Sequence, residues 1–436
     1  MFSFSNLLRR RCAVVPALAS VFLALPPSAV AQTNTAPIPQ SSAVSATSTP
    51  TTLRAALEAA WALHPSSRAS GHRTAELDAR ARAARSFTSG PASLGLAHRT
   101  DAWSGDAGLR EVEAELEVPL WNPGVRRATQ NQVTADTSAL AWQQSAERLK
   151  LAGEVREAAA QLALARVERD AAVRKHLEAT QLADDVERRV KAGDTARVDA
   201  LQARASAQQA QGLQAQSDAA LLRALGQWRT LTGQLQSASL DERLPSAGAE
   251  AGAEAGVNRQ NEHPTLQAAQ AQVHSARTRL ALTEADRRDP MALGLGVTRE
   301  RAAAGANLET SVRLALRIPL GGDSRNAPKL AAARAELDAA QAQADAVARQ
   351  LDADIAAAHA DLDAARRQEA LAVQRATLSM QMQALVAKSH RLGESDLPTR
   401  MRADNEKLDA DLSLARARIA LQRAISQLNQ SLGTLP

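Results

Sequence analysis

The sequence predicts a mainly α-helical fold with a small β part, assembled from two copies of one unit, on three observations. Landmarks recur at a fixed spacing, helix-compatible sequence runs unbroken far beyond the length of an ordinary globular helix, and short segments alternate apolar and polar residues with period two. His64-Pro65 returns as His263-Pro264, Val118-Pro119-Leu120 as Ile318-Pro319-Leu320, Gly193-Asp194 as Gly393-Glu394, and Leu231-Thr232-Gly233 as Ser431-Leu432-Gly433, at offsets of 199 or 200 residues. Four ordered matches define a tandem repeat, with repeat 1 over residues 51–233 and repeat 2 over 261–436.

The chain opens with Arg9, Arg10 and Arg11, an apolar run from Cys12 to Leu25, and Ala29-Val30-Ala31. This order predicts a secretory signal peptide over 1–31, cleaved before Gln32. A Ser, Thr and Pro-rich lead follows over 32–50. Cys12 is the one cysteine, so the mature chain is expected to have no disulfide, thiolate ligand or lipid-anchor cysteine. Removing three arginines and no acids lowers the formal charge from +5 to +2, leaving 49 bases against 47 acids interleaved along the helices. That balance argues against nucleic acid as a partner. Aromatic residues make up 2% of the chain and alanine abounds, which favours close-packed helices over a large globular core.

In repeat 1 the helix-forming stretch 51–88 carries His64-Pro65 as a kink or restart and ends at Ser89-Gly90-Pro91. A strand hairpin occupies 92–119 and a long helix hairpin 124–233. From Pro123-Gly124 to Lys191 no proline interrupts the sequence, and Leu151, Val155, Ala158, Leu162 and Ala165 keep one apolar seam. About 67 residues at ~1.5 Å each span ~100 Å. Gly193 supplies the stop, and a return helix about half as long runs to Leu231, with Val198, Leu201, Ala205, Leu221, Leu225 and Trp228 expected on its inner face. Residues 234–260 read as a linker. Repeat 2 places a helix at 261–288, a strand hairpin at 291–320 and a long helix hairpin at 326–433.

The strands carry the functional signal. Val112, Ala114, Leu116 and Val118 alternate with Glu111, Glu113, Glu115 and Glu117, and Val312, Leu314, Leu316 and Ile318 alternate with Ser311, Arg313, Ala315 and Arg317. Length and patterning match transmembrane barrel strands. Four strands cannot close a barrel, so a channel requires several chains sharing one, and a trimer gives twelve strands. In such a barrel the glutamate row would line the lumen, partly neutralised by Arg313 and Arg317; the alternatives are a solvated strand face or pairing between strands. A soluble alternative is a periplasmic coiled-coil scaffold or adaptor-like binding protein with the hairpin packed on helices. The sequence offers no Gly-x-Ser-x-Gly, no phosphate loop, and no histidine or carboxylate spacing suited to a metal, so neither enzyme, cofactor nor metal site is expected. His64 and His263, each before a proline where a helix restarts, suit a capping or packing role more than metal ligation.

Residues 189–194 (Arg-Val-Lys-Ala-Gly-Asp), followed by Asp199-Ala200-Leu201-Gln202-Ala203-Arg204 and the closing stretch Ala424 to Gly433, resemble the TolC-like outer-membrane efflux protein family across nearly all of the mature chain. The resemblance implies long helical hairpins forming an α-barrel in the periplasm and a shared twelve-stranded β-barrel in the outer membrane. It also implies a homotrimer in contact with outer-membrane lipid, a periplasmic adaptor (membrane fusion protein), and an inner-membrane pump of the resistance-nodulation-division type. The helix-hairpin turns would form the periplasmic tip and adaptor contact, here Gly193, Asp194 and Thr195 with Asp199, and Gly393, Glu394 and Ser395. Two acids that form a constriction in well-known members correspond to Thr399 and Arg402, so that ring does not carry over. The expected basic partner of Asp199 corresponds to Ser395. The Gly-Asp and Gly-Glu turns resemble most the cation-efflux branch.

Overall fold

A computed structural model of the chain describes residues 52–244 and 262–436, apart from Ser104, Asp106 and Gly322. The predicted signal peptide, the N-terminal lead and the linker beyond Leu244 lie outside the described residues. The first half contains α1 (Leu53–Leu63), α2 (Pro65–Arg85), β1 (Ser93–Thr100), β2 (Arg110–Leu120), α3 (Val125–Ala192) and α4 (Arg197–Thr232). The second contains α5 (Pro264–Ala285), β3 (Met291–Arg301), β4 (Glu309–Arg317), α6 (Asp323–Arg391) and α7 (Leu397–Ser431).

α1 and α2 are separate helices because the residue before a proline is driven out of helical backbone, and His64 sits at φ −67°, ψ 136°. Its Nδ1 accepts from the Ser66 amide at 3.3 Å, capping α2. His263 repeats the device at the start of α5, accepting from the Thr265 amide at 3.2 Å.

The 68 residues of α3 form the spine of the chain. Its C-terminal part is flanked by α4 and its N-terminal part by α2 and α5, so shorter helices follow one another along it. The junction with α5 is polar: Ser275 Oγ donates to Asp136 at 2.6 Å and Thr278 Oγ1 to Gln132 Oε1 at 2.8 Å. The main core joins Leu151, Val155 and Leu162 of α3 to Leu57 of α1 and Trp228 of α4. Trp228 is fully buried, with its indole nitrogen donating to the Gln236 carbonyl at 2.9 Å.

Two expectations change. On α4 the inner face above the turn is made by Ala200, Ala203 and Ala210, while Val198 and Leu201 are exposed. Alanine lets helix axes approach closely, so the contact stripe goes to the smallest residues although periodicity points to the largest. The beginning of the segment read as a linker is packed: Ala238 and Leu240 join the main core, and Leu244 packs against Leu362 and Leu428. Glu242 in that stretch meets Arg156 of α3, a guanidinium with 4% of its side chain exposed. Arg156 donates from Nε to both Glu242 oxygens at 3.0 and 3.1 Å, from Nη1 to Gln430 at 2.6 Å, and from Nη2 to the Thr434 carbonyl at 3.0 Å. One side chain thus joins the first long helix, the connecting segment and the end of α7.

The four strands form one antiparallel sheet in the order β1-β2-β3-β4. Its centre joins the two halves through β2 and β3, with Leu116 opposite Leu295.

Candidate functional site: a sheet with two faces and a pair of glycine turns

Pleating puts Leu94, Leu96, Val112, Leu116, Leu293, Leu295, Val297, Val312, Leu314 and Leu316 on one face of the sheet. That face is open: Leu96 is 75% exposed, Val312 69% and Leu314 74%. Monomeric soluble proteins rarely expose apolar patches of this extent.

The opposite face is the charged one. Arg313 of β4 reaches Glu113 of β2 at 3.0 Å, and Arg317 reaches Glu117 at 3.1 Å. Each pair spans the intervening strand, because β3 places Ala292, Gly294, Gly296 and Thr298 beneath them, all buried. A Cβ at Gly294 would lie 3.0 Å from Glu115 Oε1, so the space above the glycine already holds a carboxylate. Arg99 of β1 lies 3.9 Å from Glu111. The structure thus brings the six predicted face residues together and pairs Glu113 and Glu117 in ion pairs, while Glu115 makes none among the described residues. Glu300 and Glu309, opposite one another and on this same face, were missed in the sequence. With them the face carries six acids and three arginines. Alternation of small residues along β3 was the available signal for the lattice.

The two helix turns share one geometry. Gly193, at φ +89°, donates its amide to the Val190 carbonyl, and Asp194 donates to Arg189 at 2.9 Å. Gly393, at φ +78°, donates to His390, and Glu394 donates to Ser389 at 3.0 Å. Left-handed backbone favours glycine, and the paired bonds satisfy helix-end carbonyls in a Schellman motif. Both turns leave Asp194 and Glu394 exposed, with Thr195, Ser395 and Asp199 half-buried. Leu397 and Met401 pack on Ala183, Val186, Ala200 and Ala203, holding the two hairpin ends against each other.

The turns then differ. Asp396 caps α7 through the Thr399 amide at 3.0 Å, and hydrogen bonding by Thr399 holds its carboxyl below the usual carboxylate range. Ala196 gives α4 no such cap. Asp396 was missed in sequence, although an Asp three residues before Thr399 at a helix start is a capping signal. Ser395 accepts through its carbonyl from the His390 ring at 3.0 Å, and Asp199 has no ion-pair partner among the described residues.

No protein-family model matches the sequence, and no curated protein matches it. Solved structures do. The outer membrane protein VceC of Vibrio cholerae superposes with a TM-score of 0.70 at 16% identity, over 88% of this chain and 96% of that one. The open state of the Neisseria gonorrhoeae MtrE outer membrane channel gives 0.70 at 15% identity, over 88% and 89%. CusC, described for folding and transmembrane channel formation, gives 0.72 at 14% identity, over 88% and 92%. This chain therefore has the fold of outer-membrane channel subunits. It is the fold that the resemblance to TolC-like proteins implied.

Proposed function

We propose that this chain is one subunit of a trimeric outer-membrane duct, the passive exit of a tripartite efflux or secretion system. The observation that carries the reading is the sheet: its apolar face is open and its charged face is internally paired. An aqueous scaffold would need the reverse arrangement, with the apolar face covered. Eleven residues of β2 at ~3.3 Å each, tilted ~40°, give ~28 Å of height, close to the ~25 Å apolar band of an outer-membrane barrel. A shared barrel then directs the six acids and three arginines of each chain inward, lining a net negative lumen. The long helices extend into the periplasm, and the glycine turns form the tip that meets an adaptor, with the work of transport supplied by an inner-membrane pump.

The test is to isolate the full-length protein from the outer-membrane fraction and reconstitute it in planar bilayers. Heat-resistant trimers and ion conductance are expected. A protein extracted without detergent and electrically silent would be the scaffold instead.

A further inference from the structure

The open sheet face changes character at the end away from the helices. Its apolar residues finish at Leu96, Val112, Val297 and Val312; beside Val112 stand His98, Arg299 and Thr310, and the row beyond holds Thr100, Arg110 and Arg301. Arg110 and Arg301 stand directly opposite one another across β2 and β3. Like charges so placed, with Cβ atoms about 5 Å apart, repel. The strands put no carboxylate on this face, and none of the three arginines has an ion-pair partner among the described residues. Arg301 is oriented by its Nε donating to the Gly108 carbonyl at 3.3 Å, which ties it to the β1–β2 loop. Trp103 in the same loop is 93% exposed.

We propose that Arg110, Arg299 and Arg301 form a binding site for the phosphate groups of a lipid, seated where the apolar band meets the outer surface of the membrane. The inference rests on the outer-membrane reading above, since the strand loops point outward only if the helices are periplasmic. The occupant follows from the layout. Three guanidiniums with no strand carboxylate on their face and no ion pair among the described residues call for an anion, and the apolar rows directly beneath them call for acyl chains attached to it. Guanidinium forks suit phosphate oxygens. A soluble anion would gain nothing from the leucine and valine rows, and a protein partner could not cover residues immersed in lipid.

The experiment titrates the detergent-purified full-length oligomer with diphosphoryl lipid A, a phosphate-free lipid A analogue, and inorganic phosphate, reading occupancy by native mass spectrometry. Diphosphoryl lipid A is expected to bind in preference to both others. Arg110→Ser/Arg299→Ser/Arg301→Ser should weaken it about a hundredfold, since basic residues near an anionic surface each contribute about a factor of five. Equal binding by wild type and variant, or equal binding of the phosphate-free analogue, overturns the proposal. So does inorganic phosphate binding as tightly as the lipid, which would leave a simple anion site. Should the triple variant fail to assemble, the comparison of phosphorylated and phosphate-free lipid A on the wild type decides alone. A wild type that conducts in phosphatidylcholine bilayers but ignores lipid A phosphates overturns this site only. One that neither inserts nor conducts overturns the duct with it.

Discussion

Arg156 and Glu242 form a buried ion pair between the first long helix and the connecting segment, and Arg156 also reaches Gln430 and Thr434 at the chain's end. Removing one partner of a buried pair leaves the other charged and unsolvated, at a cost of about 3–5 kcal/mol. Arg156→Ala should therefore lower the thermal midpoint strongly, while Arg156→Met with Glu242→Leu should recover much of the loss, as read by unfolding of the purified protein. His263 gives a second prediction. Burial pushes its imidazole below the usual histidine value of 6.5, and its Nδ1 is the acceptor that caps α5. The unfolded chain takes up a proton near that value that the folded chain refuses, so this contribution is complete above pH 6.5 and declines as pH falls below it. Melting curves at pH 7.5 and 5.5 should differ more in the wild type than in His263→Asn, which keeps a capping oxygen. The histidine caps were legible, because proline at the next position leaves little else for the ring to do. Arg156 was not: nothing in a chain with 52 Lys and Arg residues marks one as buried, and Glu242 lay in a segment whose composition suggested a linker.

Among the elements, the long helices and the strand alternation could be read from the sequence because each has a strong period and clear stops. The α4 contact stripe could not, since close packing selects alanine in a chain where alanine is everywhere. The two hairpin turns are the same motif with different helix starts, and this asymmetry makes a prediction. Gly193→Ala and Gly393→Ala each force a Cβ into left-handed backbone, costing about 1 kcal/mol locally. Amide exchange at Asp194 and Glu394, whose protons close the two Schellman motifs, should accelerate in the respective variants. Asp396→Ala should loosen the first turn of α7 and leave α4 unchanged, because Ala196 contributes no side-chain cap there. Equal loosening of both helices would show that the caps are not what distinguishes the two turns. On the sheet, Glu115 is the acid of the glutamate row that has no arginine partner among the described residues. In the proposed duct Glu115→Gln should reduce cation preference in bilayer recordings more than Glu113→Gln, which frees Arg313 as it removes a charge.

At the scale of the whole molecule, the sheet has two open edges, β1 and β4, and the proposed shared barrel would join the β4 edge of one chain to the β1 edge of the next. An unpaired edge beside an apolar face is an aggregation hazard unless another strand covers it. Covering it with a different protein would satisfy one edge and leave the other, whereas copies of the same chain satisfy both and close a ring. Nothing in one sequence specifies how many copies close it; twelve strands from three chains is the count carried by resemblance. Because Cys12 is the chain's one cysteine and falls in the predicted signal peptide, the joint can be mapped with introduced pairs. Cysteine at Ala97 on β1, combined in turn with cysteine at Ser311, Arg313 or Ala315 on β4, scans neighbouring registers on the charged face of both strands. Disulfides form only where Cα atoms lie about 4.4–6.8 Å apart. Oxidised outer membranes should then yield, for one combination, a covalent ladder ending at three chains. A ladder ending elsewhere would change the strand count, and no ladder in any register would mean that the edges are not joined to each other.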